Sequence, residues 1–552
     1  MIRSKILGSF AYLSMFPVAI ASAQTGNPPA VITPAEIGAH LRFLSSDLLE
    51  GRAPATRGGQ LAEEYIAAQL QSFGVKPAVG DTSYFQRVPI DIVKADPKTI
   101  RVAASGKANA TLRFTDDVVV WPGSATDASN AKGELVFVGY GAAAPEYKWD
   151  DFKGTDVRGK ILLVLVNDPP APASEPNLFG GKAMTYYGRW TYKYEEAERR
   201  GAAGMLIVHT TGPAGYPWQV VVGSNSVEHR LLPRDPAAPP PIAVRGWITD
   251  SAATALLAQA GLNMTTLRKQ AESRDFRPVA TGIVIDATMR NTVQHMAANN
   301  VVGVVPGSDP KLRDEYVAYS AHWDHLGIGP VVNGDSIYNG AADNASGVAS
   351  VLAIARAAAV ATSRPKRSQL FIFVTAEESG LLGSAYFGEH PTVPASKIVA
   401  ALNMDVVNLN GKVRDLNVLG DNKSSLGPML TRLVASEGIR LSPDAHPEAG
   451  HFYRSDHFSF AKAGIPAVSI GPGVDYIGHP AGWGQQQAED YTAHRYHQPS
   501  DEYRPDFDLT GPAQLAQLVY RFGTTLANSN DVPTWNADAE FKALRDASRK
   551  GQ

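Results

Sequence analysis

Residues 368–384 read SQLFIFVTAEESGLLGS, and this stretch gives the strongest indication of the fold. The apolar run from Leu370 to Val374 is typical of a strand that is buried on both faces of a sheet. Two adjacent carboxylates, Glu377 and Glu378, follow the run almost at once. Because two neighbouring like charges are costly when they lose water without a partner, the pair needs a positive group nearby. The stretch therefore predicts a buried strand that ends at a charged site.

Similar apolar runs recur on both sides of this stretch. They read NVVGVVPG (300–307), EYVAYSAHWDH (315–325) and KIVAALNMDVV (397–407), and a helical pattern, DNASGVASVLAIARAAAVA (343–361), lies between two of them. Near-continuous apolar strands that alternate with helices are typical of parallel sheets with helices on both faces. The sequence therefore predicts an α/β fold with a mostly parallel central sheet flanked by helices.

The middle of the chain differs from the α/β part in its composition and in its pattern of predicted strands and helices. Residues 126–265 combine strand-like runs with frequent Gly and Pro and with one amphipathic helix, YKYEEAERRGAAG. We interpret this block as a smaller α+β domain inserted into the α/β domain, which then spans residues 24–125 and 266–530. Residues 531–552 are mostly polar, and we predict that they form a C-terminal tail.

The first residues have the parts of a secretory signal peptide. Arg3 and Lys5 precede the apolar stretch Ile6–Ile20, and an Ala-Ser-Ala sequence ends at Ala23. This order is typical of exported proteins. We therefore predict that residues 1–23 are a signal peptide, that the protein is secreted or periplasmic, and that no membrane span is left after signal removal.

The composition narrows the possible function classes. At 552 residues the chain is long for a single core. Its 51 basic and 54 acidic residues give a net charge of -3 without any long basic block, so we expect no nucleic-acid partner. The chain has no cysteine, which excludes thiolate catalysis and cysteine-bound metal. The oligomeric state is left open.

Imidazole and carboxylate side chains follow five successive segments in the predicted α/β part. They are His322 with Asp324, Asp343, Glu377 with Glu378, Asp405, and His497. Any one of them alone would be ordinary as a solvated loop residue or a helix cap. Several carboxylates that face one cleft need positive charge, which a divalent metal supplies. A set of two histidines and three carboxylates suits Zn²⁺, with Mn²⁺ or Co²⁺ as possible substitutes.

The motifs around these residues resemble one family of enzymes. In this order, His-x-Asp, GAxDNASG, EExGLxGS, NxD and YHxxxDxY are similar to motifs of the M28 family of dizinc metallopeptidases, over residues 33–76 and 285–530. The resemblance implies a zinc-peptidase fold with two zinc ions. It also implies the metal ligands: His322 and Asp405 on one zinc, Glu378 and His497 on the other, and Asp343 bridging both.

The resemblance further implies how the site would work. A metal-bridging hydroxide would attack the peptide carbonyl, and Glu377 would be the general base that moves its proton to the leaving amine. Asp324 would orient His322 through its second ring nitrogen. Tyr496 would donate a hydrogen bond to the oxyanion.

Four further residues are interpreted as neighbours of the site and not as ligands. His325 belongs to the same segment as His322, and Asp456 and His457 fall in a segment similar to one that lines the cleft in the family. Asp501 could form a hydrogen bond with His497.

The middle block resembles a second family. Its stretches YKWDDFKGTDVRGKILLVLV (147–166) and KYEEAERRGAAGMLIVHT (193–210) are similar to the protease-associated (PA) domain, which is inserted in many secreted M28 members. The resemblance implies that this domain shapes or covers a cleft.

Taken together, these patterns predict an exported zinc aminopeptidase that acts on peptides or small proteins with a free N-terminus. A carboxylate-rich cleft attracts an α-ammonium group and rejects a carboxylate end. One alternative is a carboxypeptidase or dipeptidase with the same metal centre, although no arginine cluster for a substrate carboxylate is evident in the sequence. The other alternative is a catalytically inactive binding protein on this scaffold.

Overall fold

The structure is a computed structural model that describes residues 32–234, 237–238 and 240–550. The predicted signal peptide at residues 1–23 lies outside the described residues. Within the described part of the chain, no helix combines the length and the hydropathy needed to cross a bilayer.

The described residues form α-helices throughout both halves of the chain. These are α1 (Pro34–Leu44), α2 (Arg57–Ser72), α3 (Trp190–Arg199), α4 (Thr211–Ala214), α5 (Trp218–Asn225), α6 (Asp250–Gln259), α7 (Met264–Ala271), α8 (Ser346–Val360), α9 (Leu382–Glu389), α10 (Leu426–Ala435), α11 (His457–Lys462), α12 (Trp483–His494), α13 (Thr510–Asn528) and α14 (Lys542–Arg549).

The strands form two large sheets and two small hairpins. They are β1 (Lys76–Pro77), β2 (Phe85–Ala95), β3 (Arg101–Gly106), β4 (Ala110–Leu112), β5 (Val118–Pro122), β6 (Ala128–Phe137), β7 (Ala143–Ala144), β8 (Trp149–Asp150), β9 (Ile161–Leu165), β10 (Gly204–His209), β11 (His229–Leu231), β12 (Val244–Thr249), β13 (Val279–Val305), β14 (Tyr316–His322), β15 (Gly327–Val332), β16 (Asp335–Tyr338), β17 (Ser368–Val374), β18 (Ile398–Asn403), β19 (Asp415–Leu419), β20 (Arg440–Ser442) and β21 (Ala467–Pro472).

The first sheet has a parallel centre. Its strands follow the order β11-β2-β13-β17-β14-β18-β21-β19-β20, and β17, β14, β18 and β21 are parallel to one another. The strands β2 and β13 on one side and β19 on the other pair antiparallel. The prediction of a mostly parallel central sheet is confirmed.

Helices cover both faces of this sheet, as predicted. In β17, Phe371 and Phe373 belong to the same apolar cluster as residues of α1, α2, α8 and α13. The alternate residues Leu370 and Ile372 belong to a second cluster, which includes Phe387 of α9. All seven residues of β17 are buried, which explains why its sequence lacks the alternation of a one-sided strand.

A second sheet is built from the middle of the chain. Its strand order is β4-β3-β13-β6-β9-β10-β12-β5, with β6, β9, β10 and β12 parallel. The 27-residue strand β13 joins the two sheets, since residues 279–290 pair with β6 and residues 291–301 pair with β2. The second sheet also contains β3 and β5, which precede the predicted block 126–265 in sequence.

The C-terminal residues pack onto the first sheet region. Trp535, Ala539 and Phe541 are buried in an apolar cluster with Phe452 and Phe458. The helix α14 follows, and its Arg545 donates hydrogen bonds to backbone carbonyls at positions 395 and 398.

Candidate metal centre

Three central strands end at the same edge of the first sheet, and each carries acidic or imidazole groups there. His322 is the last residue of β14. Glu377 and Glu378 follow the end of β17, and Asp405 follows the end of β18. Because β14 lies between β17 and β18, the parallel order brings these groups together.

Two further groups reach the same edge from loops. Asp343 lies in a short turn, Ala341–Ala345, directly before α8, and it is buried. His497 follows α12 and has a left-handed backbone with φ of 57°. All five ligands implied by the sequence resemblance are therefore neighbours, although they are spread over 175 positions of the chain.

The contacts among these five residues are close. His322 Nε2 lies 3.2 Å from Asp405 Oδ1 and 3.2 Å from Asp343 Oδ1. His497 Nε2 lies 3.3 Å from Asp343 Oδ2 and 3.1 Å from Glu378 Oε2. Asp343 thus presents one oxygen to each histidine, as a bridging carboxylate would.

The donor set fits divalent cations. Two groups of potential ligands have their donor atoms within 4.8 Å of one another: His322, Glu377 and Asp405, and His325, Asp343 and Glu378. The Nε2 atoms of His325 and His497 are shielded from solvent without a satisfactory hydrogen bond among the described residues. Two ligand atoms about 2.0–2.1 Å from one tetrahedral zinc ion are about 3.3 Å apart, and the separations above are of that size.

His325, which was predicted to be only a neighbour of the metal centre, contacts one of its implied ligands. Its Nδ1 lies 2.6 Å from Glu378 Oε1, and its ring centroid lies 5.7 Å from that of His497. His325 therefore contacts one oxygen of Glu378, and His497 contacts the other. The signal in the sequence is the HWDH stretch, which places two histidines three positions apart after a strand.

Asp324 supports the loop more than it supports the imidazole. Its carboxylate accepts hydrogen bonds from the backbone N–H of Glu377 at 3.0 Å and of Glu378 at 3.4 Å. It lies 3.8 Å from His322 Nδ1, and the Asp324 carbonyl oxygen is closer to that nitrogen, at 3.2 Å. Asp324 thus connects the ends of β14 and β17 directly.

Arg52 was not identified from the sequence. It is buried and donates hydrogen bonds to the carbonyl oxygens of Trp323, Asn339 and Gly340, among others. Burial lowers the pKa of Arg52 to about 10, and nearby carboxylates, including Asp324, oppose this decrease. The guanidinium therefore fixes the two loops that precede Asp324 and Asp343. Only a Gly-Arg pair after the first helix marked it in the sequence.

Asp501 has a different partner from the one expected. Its carboxylate accepts hydrogen bonds from the backbone N–H groups of Ala342 and Asp343, and from the Tyr491 hydroxyl. The expected hydrogen bond to His497 is absent among the described contacts of Asp501. The reason is that the turn before α8 offers backbone donors that only a nearby carboxylate satisfies.

Glu377 has a carboxyl group in an unusual environment. Burial raises the pKa of Glu377 well above its usual range. The charge of His322 opposes this increase, whereas the carboxylates of Asp405 and Asp456 add to it. Asp456 and His457 are themselves fully buried. The predicted proximity of Asp456 to the site therefore agrees with its influence on Glu377.

Two cavities meet at Tyr496. The first, of about 520 Å³, is lined by Glu377 and Glu378 and by several of the residues 189–195. These residues lie between β9 and β10 of the second sheet, and this sheet with its connecting segments is called the second sheet region. The second, of about 440 Å³, is lined mainly by apolar groups and reaches Ala342 and Asp501. Tyr496 lines both, is 43% exposed, and stacks on the His497 ring at a centroid distance of 3.9 Å. Tyr496 is therefore accessible from both cavities.

Comparison with known proteins agrees with this geometry. Residues 300–522 match the family described as Peptidase family M28. The chain is 30% identical over 232 residues to a probable leucine aminopeptidase 2 of Aspergillus oryzae, which covers 40% of this chain and 43% of that protein. It is 29% identical over 178 residues to leupeptin-inactivating enzyme 1 of Streptomyces exfoliatus, with coverages of 32% and 36%. The chain thus spans less than half the length of these curated relatives.

Solved structures were also compared. An aminopeptidase from Aneurinibacillus sp. strain AM-1 superposes with a TM-score of 0.47 at 18% identity, covering 89% of this chain and 93% of that one. A zinc aminopeptidase from Bacillus subtilis gives a TM-score of 0.42 at 17% identity, with coverages of 93% and 99%. The family match covers β14, β17, β18 and the ends that carry all five implied ligands. Over residues 300–522, this chain is similar to peptidase family M28.

Proposed function

We propose that this protein is an exported dizinc aminopeptidase that removes N-terminal residues from peptides. The observation that carries the proposal is the cluster at the sheet edge, where five ligand-type residues meet beside the Glu377 carboxylate, which has an oxygen within 4.8 Å of donor atoms of His322 and Asp405. Adjacent residues of one loop, Glu378 and Glu377, thereby take different positions. This separation is what a hydrolytic site with both a metal ligand and a base requires.

The ligand assignment follows the contacts. His322 and Asp405 would hold one zinc ion, Glu378 and His497 the other, and Asp343 would be shared by both. When bound, the ions supply Lewis-acid polarisation of the scissile carbonyl and a water that is acidic enough to attack near neutral pH. His325 contacts Glu378 and would hold that carboxylate in position.

Glu377 would act as the general base. It lines the first cavity, so its carboxylate faces the space in which substrate would lie. A carboxylate at this position can accept a proton from the attacking water and then release it to the leaving amine. The Tyr496 hydroxyl, at the junction of the two cavities, would donate to the oxyanion.

The second cavity would take the side chain of the N-terminal residue. Val406, Leu409, Val474 and Tyr491 line it, and they offer an apolar surface. Ala342 and Val406, the sequence neighbours of Asp343 and Asp405, also line this cavity, and the carboxylates of the metal centre would attract the α-ammonium group. We therefore expect a preference for apolar N-terminal residues such as leucine.

The sequence features outside the metal centre complete the proposal. Residues 1–23 would direct export before they are removed. The second sheet region would act as a PA-like domain that forms one wall of the cleft, since Arg189, Trp190 and Glu195 line the first cavity.

The test is hydrolysis of leucine p-nitroanilide beside its N-acetyl derivative, with and without a chelator. We expect cleavage of the free amine only, loss of activity after chelation, and recovery with Zn²⁺. Equal cleavage of both substrates would exclude an aminopeptidase. Absence of hydrolysis together with much less than one zinc ion per chain would favour the inactive binding protein.

A further inference from the structure

Two arginines of the first cavity are without a counter-ion. Arg189 and Arg454 both line this cavity, together with Glu377 and Tyr496. Arg454 also lines the second cavity, whereas Arg189 does not. The described residues provide no ion pair for either guanidinium, and the Nε of Arg189 is shielded from solvent without a hydrogen-bond partner. Arg454 is exposed, whereas Arg189 is partly buried, and a partly buried guanidinium without a partner is costly unless an anion from outside the chain completes it.

The electrostatic surroundings confirm that Arg189 has lost water without gaining a carboxylate. Burial lowers the pKa of Arg189 to about 10, and the charge of Arg454 lowers it further. The other groups that influence it are the hydroxyls of Tyr216 and Tyr453, which are neutral near pH 7. Two like charges are therefore held together at one wall of the cavity.

The backbone adds to this positive wall. Arg189 is the residue that precedes α3, and no side chain caps this helix. Trp190 and Thr191, in its first turn, line the same cavity. The first N–H groups of an uncapped helix carry a partial positive charge and can bind an oxyanion. The arginine pair and the helix start thus offer donors to the same space.

The acidic groups of the cavity outside the metal centre do not neutralise the pair. Glu195 is bound by Lys462, whose Nζ lies 2.8 Å from Glu195 Oε1. Glu389 is exposed at the rim. The positive wall of Arg189 and Arg454 therefore stays available for a ligand.

The position of the wall relative to Glu377 indicates which part of a substrate it meets. Under the proposed function, Glu377 protonates the leaving amine, and Glu377 lines the first cavity and not the second. The leaving portion of the substrate then lies in the first cavity, and the N-terminal side chain lies in the second.

We propose that Arg189 and Arg454 form a binding site for a carboxylate of the leaving portion of the substrate, so that the enzyme favours short peptides. This inference rests on the proposed function. A guanidinium binds a carboxylate through two parallel hydrogen bonds, which an amide cannot reproduce. The carboxylate could be the C-terminus of a dipeptide or the side chain of an acidic residue after the scissile bond.

The experiment compares substrates that differ only in this carboxylate. kcat/KM is measured for Leu-Ala and Leu-Ala-amide, and for Leu-Glu-amide and Leu-Gln-amide, with the zinc-loaded protein. A charge-assisted pair of hydrogen bonds corresponds to about 10-fold to 100-fold in kcat/KM. If the ligand is the C-terminus, we expect Leu-Ala to be preferred over Leu-Ala-amide by this factor. If the ligand is the acidic side chain, we expect Leu-Glu-amide to be preferred over Leu-Gln-amide.

Variants connect the preference with the arginines. In Arg189→Met and Arg454→Met the carboxylate-to-amide ratio should fall towards one. Arg158→Met is the matched control, because Arg158 is exposed and already paired with Asp156, and it should keep the wild-type ratio. Ratios near one in the wild type, or unchanged in both cavity variants, would overturn the inference.

A binding measurement separates this inference from the proposed function. Leu-Ala and Leu-Ala-amide are titrated calorimetrically into Glu377→Gln, with and without the Arg189→Met change. If the wild type hydrolyses none of the substrates, the proposed function fails. The carboxylate site is still supported if Leu-Ala binds at least about 10-fold more tightly than its amide and Arg189→Met removes this difference. It is excluded if the two ligands bind equally or if the difference does not depend on Arg189.

Discussion

Glu377 and Glu378 are adjacent in the sequence, but their carboxylates meet different surroundings. Glu378 contacts two imidazoles, His325 at 2.6 Å and His497 at 3.1 Å. The Glu377 carboxylate contacts neither imidazole and faces the first cavity. The electrostatic cost of the acidic pair is thus reduced because Glu378 lies beside two imidazoles while Glu377 lines the first cavity.

This difference predicts opposite effects of the same chemical change. Glu377→Gln should retain zinc and lose kcat by roughly 10²-fold or more, because the amide cannot carry the proton. Glu378→Gln should weaken zinc binding, since an amide lacks the charge of a ligand carboxylate. Zinc content by atomic absorption and kcat on leucine p-nitroanilide check both. Full activity in the first variant, or unchanged zinc affinity in the second, would reverse the roles.

At the scale of single residues, the sequence predicted which residues meet but not how they are supported. His322, Glu378 and Asp405 follow predicted strands and Asp343 precedes a predicted helix, whereas the role of His497 came from the family resemblance alone. Arg52 binds a carbonyl 271 positions away, and no local pattern reports such a contact. The arginine pair of the first cavity was missed for the same reason, because its members are separated by 265 positions.

At the scale of elements, buried strands were predictable and half-exposed ones were not. The apolar runs in β14, β17 and β18 are buried throughout or nearly so, and hydrophobicity alone identifies such strands. β13 alternates between buried and exposed residues and changes sheets along its length. Only residues 300–307 of it were predicted, because its first half depends on pairing with β3 and β6 of the second sheet.

The helix α2 offers a test of pH dependence away from the metal centre. Glu63 is buried on its inner face and accepts a hydrogen bond from the backbone N–H of Asn299 at 2.9 Å. Burial raises the pKa of Glu63 to about 7. The folded state therefore holds a proton that the unfolded chain releases near pH 4.5, so this group costs stability progressively as pH rises from 4.5 to 7.

Glu63→Gln should remove this cost, since glutamine can still accept the hydrogen bond without ionising. We expect the variant to be more stable than the wild type by about 1–2 kcal/mol at pH 8, after allowance for solvent screening, and similar to it at pH 4.5. Thermal unfolding at both pH values measures the difference. Glu64→Gln, at the exposed neighbouring position, is the control, and an equal change in both variants would contradict this origin.

At the scale of the whole molecule, one buried carboxylate joins the second sheet region to the first sheet region. Glu540 accepts hydrogen bonds from the Tyr453 hydroxyl at 2.8 Å and from the backbone N–H of Tyr186 at 3.3 Å. It also pairs with Lys423 at 3.2 Å. Tyr186 belongs to the second sheet region and lies just before Arg189, so Glu540 holds the chain that forms the positive wall of the first cavity.

Glu540→Gln should loosen this connection, because the amide keeps its size but leaves Lys423 without its counter-ion. We expect the free energy of unfolding to fall by about 1–3 kcal/mol, as for other partly buried ion pairs. The segment around Tyr186 should then exchange its amide hydrogens faster, and the preference of the enzyme for Leu-Ala over Leu-Ala-amide should decrease with it. Asp538→Asn is the control, since Asp538 is exposed on the same C-terminal segment. Hydrogen exchange measured by mass spectrometry on both variants tests this prediction. Unchanged protection around Tyr186 in Glu540→Gln would show that the two regions are held together without this carboxylate.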